Sequence, residues 1–475
     1  MPRSSRRRQG PPTRQGGRAP VDPARLAAYE VVKAVRVEGA YANLVLPHVL
    51  GRLGLEGRDA AFATELASGA LRQRGTYDAV LTVCIDRPLA KVEAKVLDIL
   101  RLGCHQVLSM RVPDHAAIST SVDLVRSKSG PGAAGFANAV LRKVAARPLA
   151  EWVVEVAPDP MADHDGWSAI AFSHPRWVVE RLGEALAAVG RASEIDALLE
   201  ADNAPPRVTL VARPGRSARD ELIAAGGTPT AYSPFGVVLG SGSPAAVPAV
   251  AEGRAGVQDE GSQLVALALA EVRLGEPRGE ERWLDLCAGP GGKSALLAAF
   301  AAHRGTSLVA NEVQPHRAGL VRGNLTDRPT HSLVSGTAGI VAGDGGRPPF
   351  RPESFDRVLV DAPCTGLGAL RRRPEARWRR EPSDLDVLVP LQRTLLESAL
   401  ELVRPGGVVL YATCSPLLAE TRGVVDAVLD VRDDVTLEPV PLRAPDCDGP
   451  IPGTVQLWPH RHGTDAMFMA LLRRG

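Results

Sequence analysis

A chain of 475 residues with 45% hydrophobic and 23% charged residues holds enough apolar material for more than one packed core, which excludes a fibrous or wholly disordered polymer. Its net charge of +2 makes only a faint case for a polyanionic partner, so the placing of charge matters more than its sum. No apolar run approaches the ~20 residues needed to span a bilayer, and the six cysteines lack both metal-ligand spacing and a preceding signal peptide, so they read as reduced thiols of a cytoplasmic protein without a metal or a membrane partner.

Residues 1–20 carry Arg3, Arg6, Arg7, Arg8, Arg14 and Arg18 with no acid before Asp22, the composition of a disordered basic arm. Such an arm either contacts phosphates or only keeps the chain soluble, and these readings stand level. From residue 21 to about 150 apolar residues recur at three- and four-residue spacing, as in Leu26 to Val32 and Val92 to Leu100, and predict a helical bundle. Within it Arg72, Arg74, Arg142 and Lys143 read as solvated charges, and His105 and His115 as surface or capping residues. Residues 151–256 form a connecting region, with a strand at Arg207 to Arg213, a helix at Ala218 to Ala225 and a strand at Gly236 to Leu239. His174 and Trp177 there either touch RNA or pack the unit against its neighbour, the second being the better reading.

Residues 257–475 carry the most specific patterns. The run Trp283 to Ser294 passes from apolar residues through Gly289, Gly291 and Gly292 into the helix-forming Ser294 to Phe300, and so predicts strand, tight turn and helix. Its spacing is neither a phosphate loop nor a dinucleotide fingerprint. It does present free N–H groups at a helix start to a negatively charged ligand. Two further apolar runs close on acids, Glu312 and Asp344, and in a nucleotide-type unit such an acid holds ribose hydroxyls. Two more close near cysteines, at Asp361-Ala362-Pro363-Cys364 and Ala412-Thr413-Cys414. Five runs of this kind describe a doubly wound sheet whose strand ends line one cleft.

This set of motifs resembles the S-adenosylmethionine (SAM)-dependent RNA cytosine-C5 methyltransferases, and within them the bacterial 16S rRNA group called Sun or Fmu. The resemblance covers nearly the whole chain. It implies an all-α NusB-like RNA-binding domain at 21–150, carried by Pro113 to Ile118 and Phe136 to Lys143. A small α/β region at 151–256 and a Rossmann-like α/β domain with a seven-stranded sheet at 257–475 complete the expected architecture. The Gln258-Asp259 to Ser262-Gln263 segment enters that last domain, and Asp259 or Ser262 reads equally as the cap of the following helix.

Cytosine C5 is a poor nucleophile, and in the family a thiolate adds to C6, after which C5 attacks the donor methyl. The resemblance assigns Cys414 as nucleophile, Cys364 as the thiol that assists product release, and Asp361 as the acid that binds the base. For the donor SAM it implies Cys287, Ala288, Gly289, Pro290, Gly291, Gly292 and Lys293 around the methionine part, with Asp361 at the same place. Glu312 is assigned to the ribose hydroxyls and Asp344 to the adenine end. Lys293 contacts either the donor carboxylate or nearby carbonyls, and Arg317 either pairs with Glu312 or stays in solvent. The arginines from Arg371 to Arg380, interleaved with Trp378, are expected to bind phosphates near the target, and Asp465 to fix a turn.

The chain departs from the family pattern at Gly289, where alanine is commoner, at Ala466, where glycine is, and at Glu312, where aspartate also occurs. No reacting group is lost. The implied partner is RNA, 16S rRNA above all, and the implied state a monomer. Two other readings compete: a DNA cytosine-C5 methyltransferase, which would exchange the roles of Cys364 and Cys414, and a non-catalytic RNA-binding or assembly protein.

Overall fold

The computed structural model describes residues 21–240, 242–275, 280–328, 330–442 and 444–475; the basic arm lies outside them. The described chain divides into two compact units, one made of residues up to Ala70 with Tyr77–Trp152, the other of Leu71–Thr76 with Val153–Gly475. No helix among the described residues is long and apolar enough to cross a membrane.

The first unit is helical. Its opening helix, Pro23–Val37, is started by Asp22, whose side chain accepts from the Arg25 N–H at 2.9 Å, and by proline at the first position, where a missing N–H costs nothing. The helix Ala94–Leu108 is buried continuously from Val96 to Gln106, and its polar members survive there because each is bonded. Asp98 accepts from Arg36 Nε at 2.8 Å. His105, expected at the surface, is buried instead: Tyr77 Oη lies 2.8 Å from its Nδ1. Gly69 makes the room, since a Cβ there would fall 2.0 Å from His105 Nε2. Arg142 and Lys143 are exposed as expected.

In the second unit Arg72 is buried, against its reading as a solvated charge. A small antiparallel sheet combines β1 (Thr209–Ala212), β2 (Gly227–Pro229), β3 (Gly236–Leu239) and β4 (Ala255–Val257) in the order β2-β3-β1-β4. Leu210, Leu222 and Val237 form its core.

The larger sheet contains β5 (Arg282–Asp285), β6 (Ser307–Glu312), β7 (Thr337–Ala342), β8 (Phe355–Asp361), β9 (Val403–Thr413), β10 (Val435–Glu438), β11 (Val455–Gln456) and β12 (Phe468–Arg474). Seven strands run in the order β10-β12-β9-β8-β5-β6-β7, and β11 pairs with β12 off this path. Strands β5 to β9 are mutually parallel where they pair, and β12 is antiparallel to β9. Parallel strands are covered on both faces, which is why they read as unbroken apolar runs. Leu284, Val358, Val409 and Tyr411 pack with Leu395 and Leu396 on one face. Trp283, Leu359, Leu308 and Leu410 pack with Leu264, Leu296 and Leu297 on the other. Chain order reverses between β5 and β8, and at such a point the connections diverge and leave a crevice beyond the strand ends.

Candidate active site

The turn between β5 and the helix Gly292–His303 is held by the acids around it. Asp285, buried at the end of β5, accepts from Ser294 Oγ at 2.6 Å and so ties the helix start to the strand end. Gly291 precedes the helix with φ of 104°, a region open to glycine. The Gly289 N–H donates to Glu312 Oε2 at 3.0 Å, and the Gly289 carbonyl accepts from Arg317 at 2.7 Å. A Cβ on residue 289 would stand 2.2 Å from that Glu312 oxygen and 2.9 Å from Arg317 Nε. Glycine at 289 therefore goes with the close approach of Glu312 and Arg317, which also form a 3.7 Å ion pair with each other.

Glu312 is buried and accepts from Gln314 N–H through its other oxygen at 3.0 Å, so each oxygen keeps a lone pair for a further donor. Asp344 stands exposed beyond β7, with one oxygen engaged by the Gly346 N–H at 2.9 Å. Asn311 spans the ends of three strands by donating to the Leu286 and Gly343 carbonyls at 3.0 Å each. Cys287 is packed against the core, and burial, followed by the nearby carboxylates Asp285 and Asp361, pushes its thiol well above the ordinary range. Its backbone, with those of Ala288 and Pro290, shapes the turn. Two acids at adjacent strand ends and a glycine turn over a helix start suit a ligand carrying hydroxyls at one end and a carboxylate at the other. Among the described residues no group of three or more His, Cys, Asp or Glu could hold a metal ion.

Across the crevice, β8 and β9 run parallel with Asp361 in register with Ala412, so the segments that leave them lie side by side. This brings the Cys364 and Cys414 sulfurs to 3.5 Å. Lys293, from the helix start, donates to Asp361 Oδ2 at 2.7 Å and links the glycine turn to the thiols; neither reading of Lys293 from the sequence included this. Burial works against its charge, but Asp361, through its charge and the bond, outweighs burial and raises the Lys293 pKa.

The two thiols differ. The hydrogen bond from Cys364 lowers the Cys414 pKa, aided by Lys293 and Arg373 against burial and Asp361. Cys364 is pushed well up by the same bond, by burial, and by the negative charges of Cys414 and Glu420. Cys414 is thus the thiol of the pair that ionises more readily, and Cys364 the one that holds its proton more firmly.

Gly368 supports this arrangement. Its N–H donates to the Cys414 carbonyl at 2.9 Å, and a Cβ on it would lie 2.3 Å from the Ala466 carbonyl oxygen and 2.8 Å from that of Cys414. These are backbone atoms that cannot swing aside, so Gly368→Ala is expected to cost about 1–3 kcal/mol through overpacking and to displace the Cys414 turn. The check is the rate of thiol reaction with a disulfide reagent at neutral pH, where the fast phase from Cys414 is expected to disappear.

The arginine segment does other work than expected. Arg377 is fully buried, donating to the Ser173 carbonyl at 3.1 Å and to Asn203 Oδ1 at 2.8 Å. Arg372 is paired with buried Asp465, and Arg371 lies 3.8 Å from Asp259. Arg380 donates to the Thr365 carbonyl at 3.0 Å. A run that reads as a phosphate-binding face is, in these members, the internal bracing of the segment after Cys364. Asp259 caps the helix Glu260–Glu271 through Gly261 N–H at 2.9 Å and also accepts from the Asp465 N–H at 3.0 Å. Burial, then repulsion from Asp465, raises it to about 6. His174 is buried and Trp177 packs against an apolar cluster, as read.

Asp285, Asn311, Gln392 and Glu420 are site-supporting residues absent from the sequence reading. Asp285 and Asn311 had a visible signal, a polar residue within or ending an apolar strand run; Gln392 and Glu420 had none.

Residues 272–473 match the family described as 16S rRNA methyltransferase RsmB/F, and residues 22–146 match the NusB family. The "Putative methyltransferase Rv1407" of Mycobacterium tuberculosis is 50% identical over 98% of this chain and 99% of its own length. The ribosomal RNA small subunit methyltransferase B of an Enterobacter strain is 31% identical, with 94% of this chain and 97% of that one covered. That of Shewanella oneidensis is 30% identical, over 94% and 98%. Among solved structures, PH0851 shares the fold with a TM-score of 0.77 at 23% identity, covering 96% of this chain and all of that one.

Proposed function

We propose, from the premise that this chain belongs to the RsmB/F family of 16S rRNA methyltransferases, that it methylates C5 of a cytosine in 16S rRNA through a covalent bond between Cys414 and C6 of the base. The observation that carries this reading is the 3.5 Å approach of Cys364 and Cys414 beside the Lys293–Asp361 pair. A single buried cysteine is ordinary packing; two thiols of opposed acidity next to a charged pair suit nucleophilic catalysis.

SAM, when bound, supplies an electrophilic methyl group. The turn from Cys287 to Lys293 is positioned for its methionine part, Glu312 for the ribose hydroxyls and Asp344 for the adenine end. Asp361, steadied by Lys293, orients the base by hydrogen bonding near N3. The Cys414 thiolate adds to C6 and turns C5 into an enamine-like carbon, which takes the methyl. Loss of the C5 proton then returns its electron pair to the ring, the bond to sulfur breaks, and Cys364 assists that release. The helical unit, in the segment matching the NusB family, serves to bind the RNA. The protein acts as a cytoplasmic monomer.

The DNA-type reading, with Cys364 as nucleophile, sits poorly with the direction of the two thiol shifts. Bisulfite sequencing of 16S rRNA, with and without the protein, is the test: a cytosine protected only in its presence is expected. No protected cytosine, together with no retention of labelled SAM in equilibrium dialysis, would leave the non-catalytic reading in place.

A further inference from the structure

The turns that carry the two cysteines share one support. Glu420, 0% exposed, lies between Cys414 and the helix Arg422–Leu429. Its Oε1 accepts from the Thr365 N–H at 2.8 Å and from Gln392 Nε2 at 2.9 Å, and its Oε2 from Thr365 Oγ1 at 2.5 Å. Thr365 Oγ1 lies 3.1 Å from Ser415 Oγ, and Gln392 Nε2 also donates to the Pro363 carbonyl at 2.9 Å. From the other side, Tyr411 Oη donates to the Glu420 carbonyl at 2.7 Å. Both neighbours of Cys364, and the residue after Cys414, are thereby tied to a single carboxylate.

The residue type is telling. Among the described residues no lysine or arginine pairs with Glu420, and a buried carboxylate without a cation is costly unless several donors converge on it. Here they do. Three donors from two separate segments need an acceptor-only group with several lone pairs, which a carboxylate provides and an amide or hydroxyl does not. The charge also lies behind Cys364, while Lys293 and Arg373 act on Cys414.

We infer that Glu420 is a positioning residue that locks the Cys364 turn against the Cys414 turn from behind the site, and so sets the spacing of sulfurs on which release of the methylated base depends. This rests on the two-thiol reaction proposed above. It touches neither donor nor base and acts only through Thr365, Ser415 and Gln392.

The test uses the full chain with labelled SAM and a 16S rRNA transcript, comparing Glu420→Ala, Glu420→Gln and Thr365→Val with Cys364→Ala. Loss of the clamp is expected to lower kcat about 10- to 100-fold, the range for losing a buried charged hydrogen bond. SAM affinity and the KM for RNA stay near those of the unaltered chain, and an RNA–protein adduct accumulates on denaturing gels as it does for Cys364→Ala. Glu420→Gln, which keeps one acceptor oxygen, recovers part of the rate. A Glu420→Ala protein that turns over normally, or slows without trapping adduct while Cys364→Ala traps it, overturns the inference. Where Glu420→Ala fails to fold, Thr365→Val decides by the same criteria. If Cys364→Ala itself traps nothing, the two-thiol reading falls first and takes this inference with it.

Discussion

Replacing Cys364 with alanine is expected to leave RNA covalently attached to the protein, whereas replacing Cys414 removes methylation and adduct together. The reasoning starts from acidity. A thiolate attacks and a thiol does not, and the bond from Cys364 makes Cys414 the easier of the two to ionise while Cys364 itself is driven the other way. Cys414→Ala deletes the attacking atom, and loss of a nucleophile costs more than about 10⁴-fold in kcat. Cys364→Ala keeps the attacking sulfur, though without the bond that eases its ionisation, and removes the sulfur 3.5 Å away that assists departure, so adduct still forms and the reaction stalls after methyl transfer. A denaturing gel of labelled RNA distinguishes the two. Adduct in Cys414→Ala, with none in Cys364→Ala, would exchange the roles and revive the DNA-type assignment.

The sheet was readable because its inner strands β5, β6, β8 and β9 are largely buried and so leave continuous apolar runs that end near an acid or a cysteine. Strands β2 and β4, three residues each, are too short to leave a period and went unread. A charge inside a run carried no warning either: Arg357 lies in β8, buried. It is made tolerable by Glu281 at 2.9 Å and by the Leu269 and Val272 carbonyls at 2.9 and 2.8 Å.

The site was legible to the extent that it sits at strand ends. Cys364, Cys414, Asp361, Glu312 and Asp344 each follow or close a run, and the parallel pairing of β8 with β9 then brings the cysteines together. Contacts between polar residues far apart in the chain leave no periodic trace. Lys293 with Asp361, Arg372 with Asp465, and Glu420 with Thr365 are of this kind. The arginine segment misled for a related reason. Its composition matches a phosphate-binding face, but the oxygens that satisfy Arg371, Arg372 and Arg377 come from residues 173, 203, 259 and 465, none of them nearby in sequence.

Asp285→Asn is expected to raise thermal stability at pH 8 and to leave it nearly unchanged at pH 4. Burial, with a contribution from Asp361, lifts the Asp285 carboxyl from 3.8 to about 7 in the fold, against the opposing Ser294 bond and Lys293 charge. As pH rises through the ordinary carboxyl range the unfolded chain releases this proton while the folded chain keeps it, so stability falls with pH until the folded group also ionises. Below the unfolded pKa the full contribution is present; it is lost as pH rises through about 4 to about 7. A shift of that size corresponds to a cost on the order of 4 kcal/mol at pH 8. Asparagine keeps an oxygen for Ser294 Oγ and has no charge to bury, so it escapes this cost. Heat denaturation at the two pH values measures the difference. An equal gain at both would trace the effect to packing rather than charge. A loss at pH 8 would mean that the carboxylate is ionised in the fold and compensated there, with Lys293 as the cation whose charge acts on it.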